Sequence, residues 1–315
     1  MEPSVVFNIQ PGPYWDWRIA LDLFFGGAGV GAFVFAVGMD TAFKGVYHRI
    51  TQTAAYLAPL FVILGLTLLL AKLGRPFQLF QTFFNFAPTA PLWWGGIFQT
   101  TFVIGSFWYA LKWRRMDPDP GRRTLGWLLV PFALIVGAYH GLLLAVVTAK
   151  PLWNTGPTVV AALLGFVVTG IAAVMLVHLV RMRVAGRLRT GEHLDRFLND
   201  LGPVRNILGA ALVLQLGTCF LWWLSLNFGS LQDQQALAAA NARYGFMFWW
   251  LGIGLGLLLP LALGGYAFLR GEATHRKLQV NVILLTSVLI LVGGFFFRLA
   301  VVLGGQVDLP VPSLS

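Results

Sequence analysis

The stretch Trp17–Thr41, WRIALDLFFGGAGVGAFVFAVGMDT, decides how the chain folds. It is apolar over a length that crosses a bilayer as a helix, which takes about 20 residues. It holds two carboxylates, Asp22 and Asp40, near opposite ends, and the loop after it carries Lys44 and Arg49. Working outward, the same pattern recurs, and spanning helices are predicted over 17–41, 52–73, 93–113, 124–148, 155–180, 204–228, 244–269 and 278–303. The loops after the first, third, fifth and seventh hold 16 of the 22 lysines and arginines. By the positive-inside rule these loops are cytoplasmic and both termini lie outside.

Composition agrees with that reading. Only 11% of residues are charged, 57% are hydrophobic and mean hydropathy is +0.75, which excludes an ordinary soluble domain. The net charge of +10 sits at alternate helix ends, where membrane topology accounts for it without nucleic acid. Cys219 is the single cysteine, so the chain forms neither an internal disulfide nor a four-cysteine iron–sulfur cluster. Residues 1–16 lack the basic start of a signal peptide and read as an external tail before a retained first helix. The fold expected is all-α: one polytopic membrane domain over 1–315 with eight spans, N-out and C-out.

Three external segments stand apart. Gly74–Leu92 holds five phenylalanines and three prolines and reads as a loop lying on the membrane surface or under a partner. Gly229–Arg243 reads as a short external helix and Gly304–Ser315 as an extended tail. Nine of the 12 tryptophans fall toward the outer side, as an interfacial belt or as added docking surface.

The glycine string Gly26–Gly31 superficially resembles a dinucleotide fingerprint, but it lies inside a span with no strand before it. Gly27 and Gly31 read better as a close helix-packing face. Of five histidines only His140 and His178 fall inside spans, separated by roughly 20 Å of depth at 1.5 Å per residue, which argues against a bis-histidine haem. Ionisable residues within spans are costly and are candidates for function. Asp22, Tyr139, His140 and Arg298 all fall roughly 8–14 Å below the outer surface, with Lys72, Arg75 and Lys150 flanking the same side. The plainer reading is an ion pair of Asp22 and Arg298 that pins helices. The functional reading is a pocket for a redox head group, with Asp22 as proton acceptor. Tyr139 and His140 point about 100° apart, so one of them faces such a pocket, and Tyr139 is preferred. On the inner side Asp40, His178 and Tyr47 or His48 read as an ion-paired or solvated rim, or as the mouth of a proton route.

Several motifs together carry a resemblance: Trp15-Asp-Trp-Arg-Ile-Ala-Leu-Asp22 with the glycine run after it, Leu73-Gly-Arg-Pro76, Pro91-Leu-Trp-Trp-Gly95, Tyr139-His-Gly141 and Gly293-Gly-Phe-Phe-Phe-Arg298. In that order they resemble the NrfD/PsrC family, membrane subunits of nitrite-reductase-linked and polysulfide-reductase-type respiratory complexes. The resemblance implies eight helices in two four-helix bundles and a quinone or menaquinone site near the outer face. It also implies a four-cluster iron–sulfur protein as electron partner and a molybdopterin catalytic subunit beyond it. In the polysulfide-reductase member the quinone is held by polar residues of the first helix and a tyrosine of the fourth. Motif matching puts Asp22 and Tyr139 in those places, with aspartate here where that member has histidine and Ile19 where it has a polar side chain.

The function expected is therefore a quinol- or quinone-reactive anchor subunit of a respiratory oxidoreductase in the bacterial inner membrane. It has no complete active site for the terminal substrate, and no haem, iron–sulfur cluster or metal of its own. Asp22 and Tyr139 are the expected catalytic pair, with His140, Arg298, Lys72 and Arg75 also on the quinone. Two alternatives use the same spans. A transporter needs Gly- or Pro-interrupted helices in repeats; Pro59 and Pro260 interrupt spans, but no repeat is evident. A structural anchor keeps the fold without quinone exchange.

Overall fold

In a computed structural model the protein is described over residues 14–72, 84, 91–115, 119–186, 191–270 and 276–307. Among these residues it is helical throughout, with no strand. The helices are α1 (Trp17–Ala42), α2 (His48–Lys72), α3 (Pro91–Lys112), α4 (Pro120–Ala145), α5 (Pro157–Val184), α6 (Gly191–Asn227), α7 (Leu231–Gly245), α8 (Leu259–Arg270) and α9 (Arg276–Gly304). A π-helical segment, Phe246–Leu258, joins α7 to α8. Seven helical runs are long and apolar enough to cross a membrane: α1, α2, α4, α5, 197–227 of α6, 231–267, and 278–304 of α9. The expected third span forms α3, which is not among the seven; Gln99, Thr100, Thr101 and Ser106 dilute its apolar content.

Local chemistry sets the boundaries. Asp16 caps α1 by accepting from the backbone N–H of Arg18 at 2.9 Å. The helix stops at Phe43 because Lys44 and Gly45 both take positive φ, 47° and 86°, which turns the chain straight into α2. Asp119 caps α4 and Pro120 opens it, so the helix starts four residues before the apolar run. Ser230 and Asp233 form a capping box that starts α7 where an external helix was expected. That helix runs without a break into the next span.

The π-helical segment ends just before Pro260, which has no N–H to give. At its end the backbone N–H of Leu259 reaches the Gly254 carbonyl, five residues back.

Helix α1 is the axis of the molecule, touching α2, α4, α5 and α9. Helices α1–α4 gather on one side, and α5, α6, the π-segment with α8, and α9 on the other, meeting along α1 and α5. The glycine string makes that seam possible. A Cβ on Gly27 would strike the ring of Phe166, and one on Gly31 would strike the Phe166 carbonyl. Across the same seam a Cβ on Gly170 would strike the backbone of α1 at Gly31 and Ala32. These residues let two backbones touch where lipid supplies no hydrophobic drive for association.

The two termini are tied together. Gln306 accepts from the Trp15 N–H at 2.9 Å and donates to its carbonyl at 2.8 Å. Trp15 stacks on Trp153 at 5.1 Å, and the Trp153 indole donates to the Val301 carbonyl at 2.7 Å. This is the terminal end of the bundle; the opposite one, where the arginine-rich connections lie, is the basic end.

Candidate functional site

Asp22 sits one turn and a half into α1 and is 3% exposed. Its Oδ1 has no hydrogen-bond partner among the described residues. Gly65 of α2 makes room for it: a Cβ there would lie 3.0 Å from Oδ1 and 2.9 Å from the Gly26 nitrogen. Two glycines thus bring α1 and α2 together around a carboxylate that pairs with no cation among the described residues.

His140 of α4 approaches from the other flank. Its Nε2 and the Asp22 Oδ1 lie 3.1 and 3.9 Å from the position a Cβ on Gly26 would take. His140 Nδ1 lies 2.7 Å from the Val136 carbonyl, which only accepts, so Nδ1 carries the proton and Nε2 is the lone-pair nitrogen in the neutral ring. Tyr139 points elsewhere. Its half-buried ring fills the space above Gly95 of α3. The two neighbours therefore serve different surroundings, as their helical offset requires.

Arg298 of α9 lies beyond His140. It is 9% exposed and donates to the Gly294 carbonyl at 2.8 Å and to Thr169 Oγ1 at 3.2 Å. Its guanidinium lies 5.4 Å from the Phe24 ring centroid and 5.1 Å from that of Phe166. No ion pair joins it to Asp22 among the described residues, so the helix-pinning pair is not formed. Beside Arg298 a cavity of about 70 Å³ is lined by His140, Thr169, Gln215 and Trp222. It has room for ordered water.

Gln215 was missed from sequence. It is 3% exposed, and its Oε1 has no partner among the described residues. The available signal was a lone amide inside the 204–228 run. Lys72, expected on the head group, instead pairs with Asp16 at 3.0 Å at the terminal end. Burial alone would raise the Asp16 carboxyl, but the hydrogen bonds from Lys72 and the Arg18 N–H, with both cations' charges, hold it below the usual carboxylate range. Arg75 and most of the 74–92 loop lie outside the described residues.

The basic end is built differently. Arg122 donates to both oxygens of Asp40, at 3.2 and 3.0 Å, with both side chains almost wholly buried, and Arg123 stands 3.7 Å away. The Arg122 guanidinium also lies 3.7 Å over the Trp113 ring. Arg122, which in sequence is one of the basic residues between the third and fourth spans, is 1% exposed. His178 stacks on Phe197 and faces Thr53 at 3.3 Å, and Thr53 also accepts from Arg181.

A bundle of apolar helices that buries an unpaired acid, an imidazole and an unpaired guanidinium near one end, with no group of three metal-binding side chains among its described residues, defines a multi-pass membrane protein with a polar intramembrane site. The family model described as "Polysulphide reductase, NrfD" matches residues 5–310, and the chain belongs to that family. It is 26% identical to "Protein NrfD homolog" of Haemophilus influenzae, over 94% of this chain and 95% of that protein. It is also 26% identical to "Protein NrfD" of Escherichia coli, over 93% and 95%, and to the C subunit of the polysulfide reductase of Wolinella succinogenes, over 93% and 94%.

Proposed function

We propose that the protein is the quinone-reactive membrane subunit of a respiratory oxidoreductase, exchanging electrons between a membrane quinol and an extrinsic iron–sulfur subunit on the face that carries both termini. A molybdopterin subunit lies beyond that partner. The whole chain is one polytopic domain of eight spans, α3 included, in the bacterial inner membrane, and the basic loops are cytoplasmic. Family membership and the name of the Wolinella relative, one subunit of a reductase, support the redox assignment.

The observation that carries the site is the orphaned Asp22 carboxylate oxygen between Gly26, Gly65 and His140. Burying an unpaired charge costs free energy that a purely structural anchor has no reason to spend. The donor set suits a quinone: acceptors at Asp22 Oδ1 and His140 Nε2, a phenol donor at Tyr139, and a cation at Arg298. When bound, the quinol supplies two electrons and two protons. Asp22 Oδ1 takes a proton from a quinol hydroxyl, and Tyr139, on the α3 flank, donates a hydrogen bond to the head group. Arg298, behind His140, offsets negative charge near the site. Lys72, held by Asp16, belongs to the rim.

The test is a quinone-analogue titration on the purified complex together with quinol-linked electron transfer. Analogue binding that weakens in Asp22→Asn and Tyr139→Phe supports the assignment. Wild-type complex that binds no analogue, or variants with unchanged transfer, overturns it.

A further inference from the structure

A second opening, which shares Ile290 with the cavity beside Arg298, runs toward the basic end between α6, α8 and α9. It is a groove of about 400 Å³ with Arg205, Asn206 and Gln279 near its mouth and Pro260, Ile283 and Thr286 along its walls. Along α9 it runs from Gln279 to Ile290, roughly 16 Å at 1.5 Å per residue, about half of a hydrocarbon core of about 30 Å. The opening lies directly against backbone. Gly209 of α6 and Gly264 of α8 line it, and a Cβ on either would meet nothing within 4 Å.

We infer that this groove seats one anionic phospholipid of the leaflet at the basic end. The depth matches a single leaflet, with polar side chains where a head group lies and apolar walls where an acyl tail lies. Charge selects the head group. In sequence, the segments joining α5 to α6 and α8 to α9 at this end, Arg181–Arg205 and Arg270–Lys277, carry nine lysines and arginines against four acidic residues. Basic clusters beside helix ends attract anionic lipid by about fivefold per lysine or arginine. A neutral quinone or a zwitterionic lipid gains nothing from that charge.

The test is native mass spectrometry of the purified complex in mild detergent. Wild type is expected to retain one phosphatidylglycerol- or cardiolipin-class lipid. Gly209→Phe, which fills the groove, abolishes retention, and Arg205→Gln weakens it about fivefold. Gly217→Phe, on the same helix with equally open space but outside the groove, keeps it. Retention of a quinone, of phosphatidylethanolamine at equal abundance, or of no lipid by wild type overturns the inference, as does undiminished retention in Gly209→Phe. If Gly209→Phe does not fold, delipidated wild type decides the matter. Its thermal unfolding temperature must rise more with phosphatidylglycerol vesicles than with phosphatidylethanolamine-rich ones, and an equal rise overturns the assignment.

Discussion

Helix α1 carries a buried aspartate near each end, and the two have opposite fates. Asp40 receives two hydrogen bonds from Arg122, with Arg123 beside it. Asp22, 3% exposed, has an oxygen with no partner among the described residues, while Arg298 bonds a carbonyl and a hydroxyl instead of an acid. One end of the helix has its charges cancelled; the other keeps an acid and a base apart, with His140 between them. The same residue types pin helices in one place and leave reactive valences open in the other.

The largest effect expected is at the cancelled end. Arg122→Leu leaves Asp40 buried with only the partly exposed Arg123 nearby, and is expected to cost about 3–5 kcal/mol in denaturant unfolding of the solubilised protein. Asp40→Leu combined with Arg122→Leu is expected to regain most of that loss, because no charge then remains uncompensated. A single-variant cost under about 1 kcal/mol would make the pair incidental and erase the contrast.

The open end should respond the other way. Asp22→Asn removes a proton acceptor and is expected to slow quinol-linked electron transfer by at least about 100-fold, roughly 2.7 kcal/mol in barrier. Its unfolding midpoint should stay level or rise, since an amide is cheaper to bury than an unpaired carboxylate. Destabilisation of the size expected for Arg122→Leu, with transfer intact, would show Asp22 to be a structural partner like Asp40.

That split was only half legible in the sequence. Periodic apolar runs gave the helical class and put Asp22, Tyr139, His140 and Arg298 inside apolar helices, because that signal is written along one chain. Gly27 and Gly31 disclosed a close packing face on α1 for the same reason: small residues at helical spacing leave few other uses. Pairing was not legible, since it depends on which helices face each other. Arg122 sits at a helix start where a solvated cation is the ordinary expectation, and only the fold turns it onto Asp40. Gln215 matters only because α6 brings it to Arg298. Pro260 announced an interruption but not that the backbone would widen into a π-helix rather than break.

A smaller change sharpens the comparison by moving Asp22 without removing it. Gly65→Ala places a methyl 3.0 Å from Asp22 Oδ1 and 2.9 Å from the Gly26 nitrogen, so the carboxylate or the α1–α2 crossing must shift. The expected outcome is about tenfold slower transfer, with a stability cost of about 1–3 kcal/mol. Gly38→Ala on α1, where an added Cβ meets nothing within 4 Å, is the control and should alter transfer by less than about twofold. Equal rates in Gly65→Ala and wild type would mean that the position of Oδ1 is immaterial.

The smallest effect concerns the rim, where an acid is paired but only partly buried. Lys72 and Asp16 side chains are 29% and 23% exposed, so Lys72→Gln is expected to cost no more than about 1 kcal/mol. The pair also carries a pH signature. The Asp16 carboxyl is held below the usual carboxylate range, so its contribution to stability is complete above that range and is lost as pH falls through the lowered folded value. Wild type and Lys72→Gln should therefore differ in unfolding midpoint at neutral pH and converge in acid. If the gap instead persists once Asp16 is protonated, Lys72 acts through packing along α2 and the terminal end holds no working ion pair at that position. Asp22→Asn should leave this convergence untouched, which separates the rim from the site beneath it.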